Sequence, residues 1–167
     1  MNAVLKLEAK YNKIANEKMM ECLKKCNQDV FEKDMGLYFN SIAGTFEHAL
    51  ALGAHICGRY TSKELDGRLI ESIMDCDAHM QLKSGYKTME KMFEYRSKVD
   101  EFMIAFIENK SDFTQIETLE FPGVKFEKPT YQIILSFFTH EVHHRGQIAA
   151  ALDMLKIEND FNGMLII

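Results

Sequence analysis

The chain has 167 residues, 47% of them hydrophobic and 27% charged, a size and balance that suit one domain with a substantial core. A net charge of -5 and a pI near 5.7 argue against nucleic-acid and anionic-membrane partners, and no Lys/Arg cluster exceeds helix-surface pairs such as Lys24 and Lys25. With only two prolines and long stretches of apolar residues at helical period, the composition points to an all-α protein.

The first segment, residues 3–26, carries Val4, Leu7, Tyr11, Ile14, Met19, Cys22 and Cys26 at helical spacing, with charged residues between. Residues 28–36 read as a short polar connection. A second helix is predicted over residues 37–60, with Phe39, Ile42, Phe46, Ala49, Ile56 and Tyr60 in one stripe. Its many small residues, among them Gly44 and Gly53, lower helix propensity but permit close helix approach. Residues 61–79 are polar and weakly periodic, a linker with room for one short helix. A third long helix follows over residues 80–109, its seam formed by Leu82, Tyr86, Met89, Phe93, Phe102 and Phe106.

Phe121, Pro122, Gly123 and Val124 spell a type II turn, because Pro fixes φ before the position where Gly accepts a positive φ. Leu119 and Phe121 on one side, and Val124 and Phe126 on the other, predict a small hairpin. Pro129 then precedes a fourth helix over residues 130–156, with Tyr131, Leu135, Phe138, Leu152 and Leu155 on its buried face, and residues 158–167 form a partly apolar tail. The expected architecture is one domain, residues 1–167, folded as a four-helix bundle with a long second-to-third connection. The opening residues hold no apolar signal core, and no apolar stretch approaches the ~20 residues that span a bilayer. A cytoplasmic protein with free thiols is therefore expected, with Cys22 and Cys26 as core or half-buried residues.

The chemistry concentrates in residues 140–147, which hold His140, Glu141, His143, His144, Arg145 and Gln147. On a helix His140 and His144 stand one turn apart on one face, shared with Phe137, Ile148 and Ala151, so both imidazoles are expected to look inward. Two imidazoles so placed can grip one transition metal, with a third ligand from His48 or His55 on the second helix. His48 sits among apolar and small residues, where a buried polar ring needs a partner. The plainer reading of each is a hydrogen-bonded core histidine. His143 is expected at the surface and His79 in a solvated loop. The run from His140 to His144 also matches the H-E-x-x-H zinc-peptidase signature, with Glu141 as general base. Its longer extension fails, since Gln147 and Ala150 stand where Gly and His are required.

The chain resembles members of the DinB-like (DNA-damage-inducible) superfamily. The residues that carry the likeness are His140, His144, Arg145, Gly146 and Gln147, with His48, Asn40, Ser41 and Ile42 in the second helix. Tyr11, Asn12, Ala15, Asn16 and Glu17 in the first helix and Asp160 and Phe161 in the tail add to it. The resemblance implies an up-down-down-up four-helix bundle, a homodimer, and His48, His140 and His144 as ligands of a divalent ion such as Zn, Ni or Fe, with water completing the shell. Members with known activity include thiol-dependent S-transferases, which implies a low-molecular-weight thiol cofactor and a small-molecule substrate. A non-enzymatic stress-response binding protein is the alternative. In that frame Glu141 or Glu47 would accept a proton or support a ligand, Arg145 would hold a carboxylate of the thiol or equally pair with a nearby acid, and Gln147 would orient a ligand histidine or simply cap local polar groups, although both glutamates also read as ordinary solvated helix residues. Gly53 and Ile56 stand where relatives often carry an acidic and an aromatic residue, so the substrate contacts of other members do not transfer.

Overall fold

The computed structural model describes residues 2–60, 88–121, 123–161 and 163–167. Among them the chain is mostly helical: α1 (Asn2–Leu23), α2 (Gln28–Glu32), α3 (Ile42–Arg59), α4 (Met89–Asn109), a hairpin of β1 (Ile116–Phe121) and β2 (Val124–Pro129), α5 (Thr130–Met154), and a closing 3-10 turn (Met164–Ile166). The linker predicted over residues 61–79, the start of the third predicted helix and His79 lie outside the described residues. Helices α1 and α3 each pack against both α4 and α5. The core between them is dense in aromatics, with Phe46, Phe102, Phe106, Phe137 and Phe138 all buried, and Phe161 of the tail closes it.

The hairpin follows its sequence signal closely. Leu119 pairs with Phe126 and Phe121 with Val124 in an antiparallel register. Gly123 takes φ 81°, the conformation that the turn requires. The hairpin is tethered to the end of α3, where the Arg59 guanidinium donates to the Thr118 carbonyl and lies 4.0 Å from the Glu117 carboxylate. Glu117 also accepts from the Thr130 hydroxyl at the start of α5.

Three expectations are corrected. The inward face of α1 is not the Val4 and Leu7 stripe, since those side chains are 53% and 44% exposed. It runs through Leu5, Ala9, Asn12, Asn16, Met19 and Leu23. Two asparagines on the buried face hide it from a reading based on hydrophobicity. The connection after α1 contains helix α2, capped by Asn27, whose side chain accepts from the Val30 amide at 2.8 Å, and anchored by the buried Phe31. The helix predicted to begin at residue 37 begins at Ile42 instead. Ser41 is its cap, accepting from the Gly44 amide at 3.0 Å, because a serine hydroxyl satisfies an amide that the first helical turn leaves free.

That displaced start matters for the site. Residues 37–40 form a tight turn closed by a Leu37–Asn40 bridge, with Asn40 at φ 66°. The turn folds Phe39 back over the first turn of α3, and a Cβ at Gly44 would stand 2.1 Å from the Phe39 carbonyl oxygen. Gly44→Ala gains helix propensity worth ~1 kcal/mol but meets rigid backbone. The clash wins, and we expect a net loss of roughly 1–3 kcal/mol, measured by chemical denaturation.

Candidate metal centre

Helices α3 and α5 carry the three histidines to one point. The Nε2 atom of His140 lies 3.1 Å from Nε2 of His48 and 2.9 Å from Nε2 of His144. Ligand atoms of these three residues all fall within 4.8 Å of one another. His140 and His144 share one face of α5 a turn apart, as their spacing requires, and His48 meets them from α3. The Phe39 ring stacks on His48 with centroids 4.1 Å apart and planes 19° apart, and touches His144 edge-on at 5.7 Å. Sequence reading assigned Phe39 to a helical stripe. It is instead the wall of the site, and the Ser41 cap signal was the clue that the helix starts after it.

Burial and the neighbouring rings hold all three imidazoles neutral. His140 is pushed down to about 3 by burial and by His144, His48 and His143. His48 is lowered by burial and by His144. His144 is lowered by burial, against the opposing effect of the hydrogen bond it donates to Gln147. Neutral imidazole is the form that ligates metal. The His144 Nδ1 lies 2.7 Å from Gln147 Oε1. An amide oxygen only accepts, so Nδ1 carries the proton and the Nε2 lone pair faces the cluster. The donor set therefore fits a divalent transition ion: three neutral nitrogens converge, and one of them has its tautomer fixed from behind.

The other candidates fall elsewhere. His55 lies against Phe121, centroids 5.4 Å apart, and takes no part in the cluster. His143 is exposed on the outer side of α5, its ring 4.9 Å from that of His144. The described cysteines, Cys22, Cys26 and Cys57, are free, the first half-buried and the others buried.

Glu141, expected as a solvated helix residue, is only 2% exposed, and Arg145 is equally buried. Arg96 Nη1 donates to Glu141 at 2.8 Å, and Arg96 Nη2 donates to Asp100 at 2.8 Å. Asp100 also accepts from Asn12 at 3.0 Å and from Asn16 at 3.0 and 3.1 Å. Arg145 Nη1 in turn donates to the side-chain oxygens of Asn12 at 2.5 Å and Asn16 at 2.9 Å, with its guanidinium 5.3 Å from the centre of the Tyr11 ring. Two cations and two anions thus balance inside the protein, bridged by two asparagine amides. Glu141 pairs with Arg96 through Oε2, an ion pair that works against the free general base a peptidase needs beside its metal. Arg145 turns its Nη1 to α1, whereas the resemblance implied a ligand's carboxylate or a nearby acid as its partner.

The DinB family model matches residues 1–155, and the chain belongs to the DinB family. No curated protein and no solved structure matches it. No described helix is long and apolar enough to cross a membrane.

The buried network sets a stability expectation. Arg145→Met leaves both asparagine oxygens without their donor and two buried carboxylates facing one cation. Breaking such a set costs roughly 3–5 kcal/mol. Denaturant midpoints should show that loss, and a cost under ~1 kcal/mol would contradict the reading of this network as integral to the fold.

Proposed function

From a DinB-family chain in which two helices bring three neutral imidazoles together, we propose that His48, His140 and His144 hold one divalent transition ion, zinc, nickel or iron, with a position left open. The single observation that carries this is the convergence of the three Nε2 atoms within 3.1 Å of the central one. The scaffold is read as an up-down-down-up four-helix bundle spanning the whole chain as one domain, supported by the packing of α1 and α3 against α4 and α5 and by the buried Phe161 of the tail.

Such an ion supplies Lewis acidity, which favours the thiolate form of a bound thiol at neutral pH. The reaction that fits is transfer of a low-molecular-weight thiol to a small electrophile, supported by the resemblance to thiol-dependent transferases. The protein's own residues do the positioning. Gln147 fixes the tautomer of His144. Phe39 stacks on the His48 ring and holds its plane. Glu141 and Arg145 act only through the helix they anchor. Family resemblance also supports a homodimer.

Purified protein should carry about one equivalent of metal per chain, and His48→Ala and His144→Ala should lose it, as read by elemental analysis. Gln147→Ala should weaken binding by roughly 10–100-fold. Assayed with a panel of thiols and electrophiles, the loaded protein should turn over, and a chelator should stop turnover while the helical circular dichroism persists. A chelator that melts the protein, with no turnover under any condition, would favour the alternative of a non-enzymatic binding protein.

A further inference from the structure

A cavity of about 270 Å³ opens between the hairpin and α3 and α5, the two helices that carry the three histidines. Its α3 wall is Leu52 and Ile56, one and two turns beyond His48. Its α5 wall includes Ser136 and Phe137, the turn that precedes His140. The two helices that present the imidazoles are therefore also the sides of this groove, whose lining lies about 5–12 Å along each axis from the cluster. Phe121 and Phe126 of the hairpin roof it. Phe126 is 41% exposed, large for an aromatic side chain facing into a groove. For scale, a closed apolar cavity of ~150 Å³ accepts benzene.

One lining residue is charged. Lys128 stands at the rim, exposed, with no ion-pair partner among the described residues. Glu117 opposes it across the hairpin, but the Glu117 carboxylate lies toward Arg59 and Thr130. No lining residue is acidic, in a chain whose net charge is -5. The polar side chains at the mouth, Gln132 and Ser136, are both exposed.

We propose that this groove binds the apolar body of a small aryl or alkyl anion, its uncharged end directed to the three histidines and its anionic group held by Lys128. The proposal deepens the metal-centre reading and rests on it for what happens at the histidine end. It names the electrophile as an amphiphile with a flat or slender apolar body, as opposed to a sugar, a nucleotide or a peptide. Occupancy of the groove itself depends only on its shape and its lysine.

Calorimetric titration with naphthalene-2-sulfonate, and with neutral 2-naphthol as its uncharged counterpart, tests this directly. The sulfonate should bind once per chain. Leu52→Trp, which fills the groove, should weaken it by roughly tenfold or more. Ser136→Trp at the exposed mouth should do the same without touching the core. Lys128→Ala should weaken the sulfonate by roughly fivefold, the worth of an exposed ion pair, and leave 2-naphthol within twofold. His48→Ala should lose metal yet still bind the sulfonate. Failure of the wild-type protein to bind the sulfonate overturns the proposal. So does unchanged binding by Leu52→Trp and Ser136→Trp at unchanged melting temperature. Retention of full metal by His48→Ala overturns the metal reading instead and leaves the groove result standing.

Discussion

The rotation of α5 about its own axis is the constraint on which the site depends, and a buried set of charges fixes it. Arg145 reaches α1 through Asn12 and Asn16, and Glu141 reaches α4 through Arg96. Both anchors sit one residue after a cluster histidine. Successive helix residues differ by about 100° in direction, so locking positions 141 and 145 inward toward α1 and α4 turns 140 and 144 toward α3. A hydrophobic face alone tolerates small rotations, because dispersion and burial are nondirectional. A carboxylate at 2.8 Å from a guanidinium does not, since an unpaired charge in this interior would cost several kcal/mol.

The formal charges of the network balance, two guanidinium groups against two carboxylates, which offsets part of the cost of burying them, while Arg96 Nε, Glu141 Oε1 and Arg145 Nε and Nη2 have no hydrogen-bond partner among the described residues. Desolvation raises Asp100, against the opposing pull of Arg96, while Asp100 and Glu141 keep Arg96 raised. Each ion is held by partners on another helix, so the helices are tied together at the level of the site. The histidine cluster beside it is kept uncharged by burial and by mutual proximity. One end of this polar interior therefore carries balanced fixed charge, and the other carries neutral nitrogen donors open to a cation.

Much of this was legible in the residues. The i, i+4 spacing of His140 and His144 placed them on one face, with the third ring left to His48 or His55 and His48 implied by the resemblance. The hairpin, with Leu119 and Phe121 on one strand and Val124 and Phe126 on the other, was readable because Pro122 followed by Gly123 is a turn signal. What escaped did so for definable reasons. Asn12 and Asn16 make the buried face of α1 look polar, so periodicity selected Val4 and Leu7. The same network makes Glu141 look like a solvated surface residue, since it is credible there until Arg96 is seen beside it. The resemblance pointed at Tyr11, Asn12 and Asn16 without giving their role, and geometry supplies it. Phe39 was assigned to a helix that Ser41 starts later, so its stacking on His48 was invisible.

The claim at the centre of this account is that three imidazoles, and nothing softer, surround one ion. X-ray absorption at the metal edge of the loaded protein measures that directly. The account predicts three imidazole nitrogens at ~2.0–2.1 Å with lighter atoms completing the shell. Fewer than three imidazoles, or a sulfur shell at ~2.3 Å, would contradict it.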